Sequence, residues 1–124
     1  MDEVRVLLVD DEPQVRSLIR KILSKQNFQI FEARDEEIAL RVIESLGGAV
    51  DLVLCDDPES RPEDENLVSA LKKRFPLVPI LVVSTEFVPC DLPLYDAFIA
   101  KPFRPSELLA TVERLVTKSH YQHG

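Results

Sequence analysis

The chain has 124 residues, enough for one domain that buries roughly two-thirds of its unfolded surface and too few for two ordinary ones. A hydrophobic share of 45% beside 30% charged residues suits a core-forming protein. With no long apolar stretch and no leader-like N-terminus, neither secretion nor a membrane partner is expected. The formal charge of -7 argues against direct nucleic-acid binding, which relies on clustered Lys and Arg.

Residues 4–9 form a nearly continuous aliphatic run, which suits a parallel strand covered on both faces. A helix follows. Val15, Leu18, Ile19, Ile22 and Leu23 recur at spacings of three and four, Pro13 suits the first turn, and Asn27 can close the far end. Residues 28–32 read as a second strand. Asp35 is placed to cap a second helix with Ile38, Ala39, Val42, Ile43 and Leu46 on its apolar face, stopped by Gly47 and Gly48. A third strand is expected over 50–55. The stretch 57–64, prolines among acids, reads as loop until Asp64 or Glu65 opens a third helix, with Leu67, Val68, Leu71 and Phe75 toward the core. Residues 80–83 form a fourth strand and 98–100 a short fifth. A final helix over 107–117 buries Leu108, Leu109, Val112, Leu115 and Val116.

The alternation of strand and helix breaks once, between the fourth and fifth strands, where Pro89 and Pro93 fall. An interior proline costs a helix about 3 kcal/mol, so this fourth helix is expected to be shortened or missing. The reading is one domain over 1–118 and a disordered tail over 119–124. Cys55 lies inside an apolar run and Cys90 beside a proline, with no CxxC, which points to a reduced, cytoplasmic setting.

The strand ends carry the chemistry. Asp10-Asp11 closes the first apolar run, Asp56 the third and Ser84-Thr85 the fourth, and Lys101-Pro102-Phe103 follows the fifth. Open α/β sheets bind ligands at the carboxyl edge of their strands, so these groups are expected to converge. Three carboxylates within a few Å repel by roughly 1 kcal/mol per pair in water, and a hard divalent cation such as Mg²⁺ relieves that repulsion. Asp56 suits a nucleophile toward a phosphoryl group, Ser84 a hydroxyl donor to it, and Lys101 its counter-charge. Taken singly, Asp11-Glu12 reads equally well as a helix cap, whereas Ser84 reads more readily as a turn former and Lys101 as a solvated surface lysine. Their order and placement give the set its meaning.

The segments LLVDDEP at 7–13, DLVLCD at 51–56, FPLVPILVVST at 75–85 and KPFRPSELL at 101–109 together resemble the receiver domain of the two-component response regulator family, in the CheY-like superfamily, over residues 3 to about 117. The resemblance implies a doubly wound, flavodoxin-like α/β domain with five parallel strands in the order 2-1-3-4-5. It makes Asp56 the phosphoacceptor. Asp10 and Asp11 would hold Mg²⁺ together with Asp56 and the main-chain carbonyl of Pro58. Ser84 takes the switch hydroxyl position, Phe98 the switch aromatic position, and Lys101 that of the phosphate-binding lysine. A cis peptide at Lys101-Pro102 is also implied. The implied donor is a sensor histidine kinase or phosphotransfer protein. The recipient is a downstream effector protein or an output domain outside this sequence, with a homodimer as a further partner. Such a domain catalyses only its own phosphorylation and dephosphorylation and is not an enzyme of metabolism.

The chain departs from the family pattern around the acceptor, where Asp57, Glu59-Ser60 and Asp64 replace a hydrophobic residue, a Met-Pro pair and a glycine. Pro58 offers a carbonyl to a metal but no N–H to phosphoryl oxygens. The added acids should favour a cation and oppose an incoming dianion, so slow phosphorylation or a short-lived phosphoryl state is expected. The interval from Ser84 to Lys101 is shorter than usual, which implies signalling through an altered face of fourth helical segment, fifth strand and last helix. Phe98 lacks a tyrosine hydroxyl, leaving burial, at most about 1.5 to 3 kcal/mol, to hold any inward rotation toward Ser84. The alternative function is a degenerate receiver that docks a protein partner independently of phosphorylation. A hydrolase with an aspartyl nucleophile would need a cap or substrate domain for which the chain has no room. His120 and His123 lack neighbouring acids or cysteines and read as solvated. The acidic run 57–65 lacks the glycine and spacing of an EF-hand.

Overall fold

The aliphatic runs become the strands of one parallel sheet. The computed structural model describes residues 3–56, 67–84 and 95–123. Its elements are β1 (Val4–Val9), α1 (Pro13–Leu23), β2 (Phe28–Ala33), α2 (Glu36–Ser45), β3 (Leu52–Asp56), α3 (Leu67–Arg74), β4 (Ile80–Ser84), β5 (Ala97–Ala100) and α4 (Pro105–His123). The strands lie in the order β2-β1-β3-β4-β5, and every neighbouring pair is parallel. This is the doubly wound sheet that the sequence predicts. Among the described residues there are four helices. The loop read over 57–64 lies outside the described residues, as does the shortened or missing helix of 85–95 apart from Tyr95.

Successive side chains of a strand point to opposite faces, and the core divides accordingly. Val6 and Leu8 of β1, Leu52 and Leu54 of β3, Leu81 and Val83 of β4 and Ile99 of β5 pack against Ile19, Ile22 and Leu23 of α1 and Leu108, Val112, Leu115 and Val116 of α4. On the other face Leu7, Val9, Val53, Cys55, Ile80 and Val82 meet Ala39 and Ile43 of α2 and Val68 and Leu71 of α3. Both faces are covered, which is why β1, β3 and β4 read as largely apolar runs without strict alternation.

The helix ends follow local chemistry. The Asp35 carboxylate accepts from the Ile38 N–H at 2.9 Å and caps α2 as expected. Gly47 and Gly48 end it at φ of 63° and 78°, a region that L side chains avoid. Helix α1 stops at Leu23, where the Ser24 N–H donates to the Arg20 carbonyl at 2.8 Å, so Asn27 is not its terminus. Leu18, expected on the buried face of α1, is 52% exposed. Val15, Ile19, Ile22 and Leu23 already fill the stripe that the sheet can cover. Strand β3 starts at Leu52, later than expected, because the Asp51 carboxylate takes the Arg5 N–H at 2.8 Å before the ladder with β1 begins at Val6 and Leu52. Helical backbone runs to His123, beyond the expected end at 117 and through the segment read as a disordered tail. No proline or glycine interrupts the sequence between Ser106 and His123. Among the described residues, no helix is long and apolar enough to cross a membrane.

Candidate functional site at the carboxyl edge of the sheet

The strand register brings the sequence-predicted groups to one edge. Val9 pairs with Cys55, so Asp10 and Asp56 stand level on adjacent strands. Asp56 pairs with Val83, and Ser84 is the next residue of β4. Ser84 pairs with Ala100, and Lys101 follows directly. The four positions thus step across β1, β3, β4 and β5 at their C-terminal ends.

Asp10 is 5% exposed and held from several sides. Its N–H donates to the Ala33 carbonyl at 3.1 Å, extending the pairing of β1 with β2 by one residue. Its Oδ1 accepts from the Glu12 N–H at 2.8 Å, a local turn of the kind aspartate forms. Its Oδ2 lies 3.9 Å from Lys101 Nζ, and only 18% of that lysine side chain is exposed. Lys101 is fixed in turn by its own N–H, which donates to the Ser84 carbonyl at 2.9 Å, and the Lys101-Pro102 peptide is cis. A lysine so enclosed beside a buried carboxylate is not an ordinary solvated one. Asp11 is exposed next to Asp10.

Ser84 is fully buried. Phe98 lies opposite Val82 in the ladder, so the two-residue period of the strands puts it on the same sheet face as Ser84. Its half-buried ring stands 6.2 Å from that of Tyr95, centroid to centroid, tilted by 44°. Burial against the α2–α3 side of the core anchors it. Pro58, expected to lend its carbonyl, lies outside the described residues.

Sequence reading missed Arg16. From α1 its Nη1 donates to the Asp10 carbonyl at 2.7 Å, while its Nε pairs with Glu32 Oε1 at 3.3 Å. An arginine on the polar side of an amphipathic helix ordinarily reads as solvated. The available signal was its place one helical turn after Glu12, with an acid one residue before the end of the neighbouring strand.

Among the described residues no group of three His, Cys, Asp or Glu side chains could hold a metal ion. Mg²⁺, however, commonly takes only one or two carboxylates and fills its octahedron with waters and phosphate oxygens. Asp10 and Asp11, with Asp56 level on the next strand, offer the hard oxygen donors that suit it.

The family model for the response regulator receiver domain matches residues 6–113. Among curated proteins the chain is 26% identical over 122 residues to the transcriptional regulatory protein CpxR of Escherichia coli (strain K12), covering 94% of this chain and 51% of that protein. The chain thus spans about half the length of that relative. Among solved structures, the receiver domain of NtrX from Brucella abortus superposes with a TM-score of 0.74 at 29% identity, covering 90% of this chain and 98% of that one. The chemotaxis response regulator CheY4 of Vibrio cholerae gives a TM-score of 0.75 at 24% identity, covering 92% and 99%.

Proposed function

The chain belongs to the response regulator receiver domain family, and from that membership we propose that it accepts a phosphoryl group on Asp56 in the presence of Mg²⁺. The observation that carries the proposal is the stepwise register of Asp10, Asp56, Ser84 and Lys101 across four strand ends, with Asp10 and Lys101 enclosed together. A carboxylate oxygen of Asp56 attacks phosphorus, the bond to the donor's leaving group breaks, and an acyl phosphate forms. Later attack by water returns the carboxylate and inorganic phosphate. Asp10, Asp11, Asp56 and the Pro58 carbonyl would hold the ion. Bound there, Mg²⁺ supplies charge neutralisation for the transferring oxygens. Lys101 gives a second positive charge, and Ser84 a hydroxyl for the phosphoryl oxygens.

In this reading the donor is a sensor histidine kinase or a phosphotransfer protein, the setting is cytoplasmic, and the output passes to an effector protein or output domain. The signal leaves through a face around β5 and α4 that differs from the family's usual one, and a second copy of the chain is a further partner for it. The test is incubation of the purified protein with Mg²⁺ and acetyl phosphate, following intact mass for wild type and Asp56→Asn. Wild type alone should gain one phosphoryl group. No gain, with no binding of Mg²⁺ or beryllofluoride, would overturn the proposal in favour of a phosphorylation-independent docking module.

A further inference from the structure

The turn that carries Asp10 and Asp11 leaves the sheet at the end of β1, level with Asp56 on the next strand, and sets two like charges side by side. Left to itself, such a turn would spread its charges apart. Arg16 opposes this from α1. Its guanidinium, on a side chain only 20% exposed, donates to the Asp10 carbonyl at 2.7 Å and reaches Glu32 on β2 at 3.3 Å. The Asp10 N–H is held on the β2 side by Ala33, so the backbone of Asp10 is gripped at both its donor and its acceptor.

We infer that Arg16 is a positioning residue for the cation-binding carboxylates, fastening the Asp10-Asp11 turn before the ion arrives. This deepens the function proposed above and rests on it. Ordering achieved in advance is ordering that binding need not supply, and groups behind a metal's direct ligands commonly set its affinity in this way. The geometry calls for arginine, because a planar fork can reach a carbonyl and a carboxylate at once where a lysine serves only one well. Glu32 has a second role. By pairing with Arg16 it offsets a positive charge that would otherwise repel a dication.

Arg20 supplies the control. It pairs with the same Glu32 and carries the same charge, yet among the described residues its guanidinium has no contact with the Asp10 backbone, and its side chain is 52% exposed. The experiment is calorimetric titration of the unphosphorylated full chain with MgCl₂ for wild type, Arg16→Gln, Arg16→Lys and Arg20→Gln. Amide exchange of Glu12 is followed in parallel without Mg²⁺. Arg16→Gln should raise the Mg²⁺ dissociation constant roughly tenfold and speed exchange of the Glu12 N–H, and Arg16→Lys should recover part of both. Arg20→Gln should stay within about twofold of wild type, as expected for an exposed ion pair. Wild-type affinity in Arg16→Gln would overturn the inference while leaving the proposed function intact, and so would an equal loss in Arg20→Gln. A wild type that takes no Mg²⁺ overturns both.

Discussion

Lys101 Nζ lies 3.9 Å from Asp10 Oδ2 in a setting where less than a fifth of the lysine side chain meets solvent. Placing a long, entropically costly side chain there requires a compensating interaction, and the carboxylate edge provides it. If that ammonium also neutralises a transferring phosphoryl group, Lys101→Met should slow the gain of mass from acetyl phosphate by roughly 100-fold, the usual cost of removing one charge-stabilising donor. Circular dichroism should remain that of a folded protein, since Asp10 keeps its bonds to Ala33, Glu12 and Arg16. A wild-type rate in the variant would remove Lys101 from the chemistry. Asp10, Ser84 and Lys101 were legible in the sequence because each directly follows or ends an apolar run, and the edge of an open sheet is where such runs deliver their polar ends. Arg16 was not legible. Its role depends on a backbone carbonyl and on an acid from another strand, and neither leaves a periodic mark in the sequence. Leu18 shows the converse failure, since spacing alone assigned it to the core while the width of the face that the sheet covers excluded it.

At the scale of elements, the α2 terminus is a joint set by two glycines. Gly47 and Gly48 both adopt positive φ, but their surroundings differ. A Cβ on Gly47 would meet nothing within 4 Å, whereas one on Gly48 would lie 3.1 Å from two carbon atoms of the Phe75 ring beyond the end of α3. Gly47→Ala should therefore cost about 1 to 2 kcal/mol from backbone strain alone. Gly48→Ala should cost more, as the half-buried Phe75 ring must also move. Urea unfolding of the two variants measures the difference, and a Gly48→Ala protein as stable as Gly47→Ala would show that the ring yields freely. This joint was legible because glycine, unlike L residues with a Cβ, readily takes the positive φ at which helices commonly end. The start of β3 was not, because a side chain and not an aliphatic pattern decides it. Asp51 turns its carboxylate onto the Arg5 N–H, so the apolar Val50 lies outside the ladder.

For the molecule as a whole, the order of the strands matters more than any one of them. β1 and β3 are neighbours although α1, β2 and α2 intervene in the chain, and that crossover sets Asp10 level with Asp56. In a chain of net charge -7, an Asp56 carboxylate at that edge would repel those of Asp10 and Asp11 more in the folded state than in the unfolded one, where it is far from them. On the function proposed above, folding would then carry an electrostatic cost at this edge that a bound cation would relieve. Mg²⁺ at about 100 times its dissociation constant should stabilise the domain by about 2.7 kcal/mol, a rise in Tm on the order of 10 °C for a chain of this size. General screening of an acidic protein would also raise Tm, so the comparison is with NaCl at equal ionic strength, where the rise should be much smaller. Asp11→Asn separates the two effects further. Asp11 is exposed, so the substitution should barely disturb the fold, yet it should abolish most of the Mg²⁺-specific rise. EDTA should return wild type to its starting Tm. An equal rise in Asp11→Asn, or an equal rise with NaCl, would mean that the ion acts on the charge of the whole surface and not at the edge where β1 and β3 end.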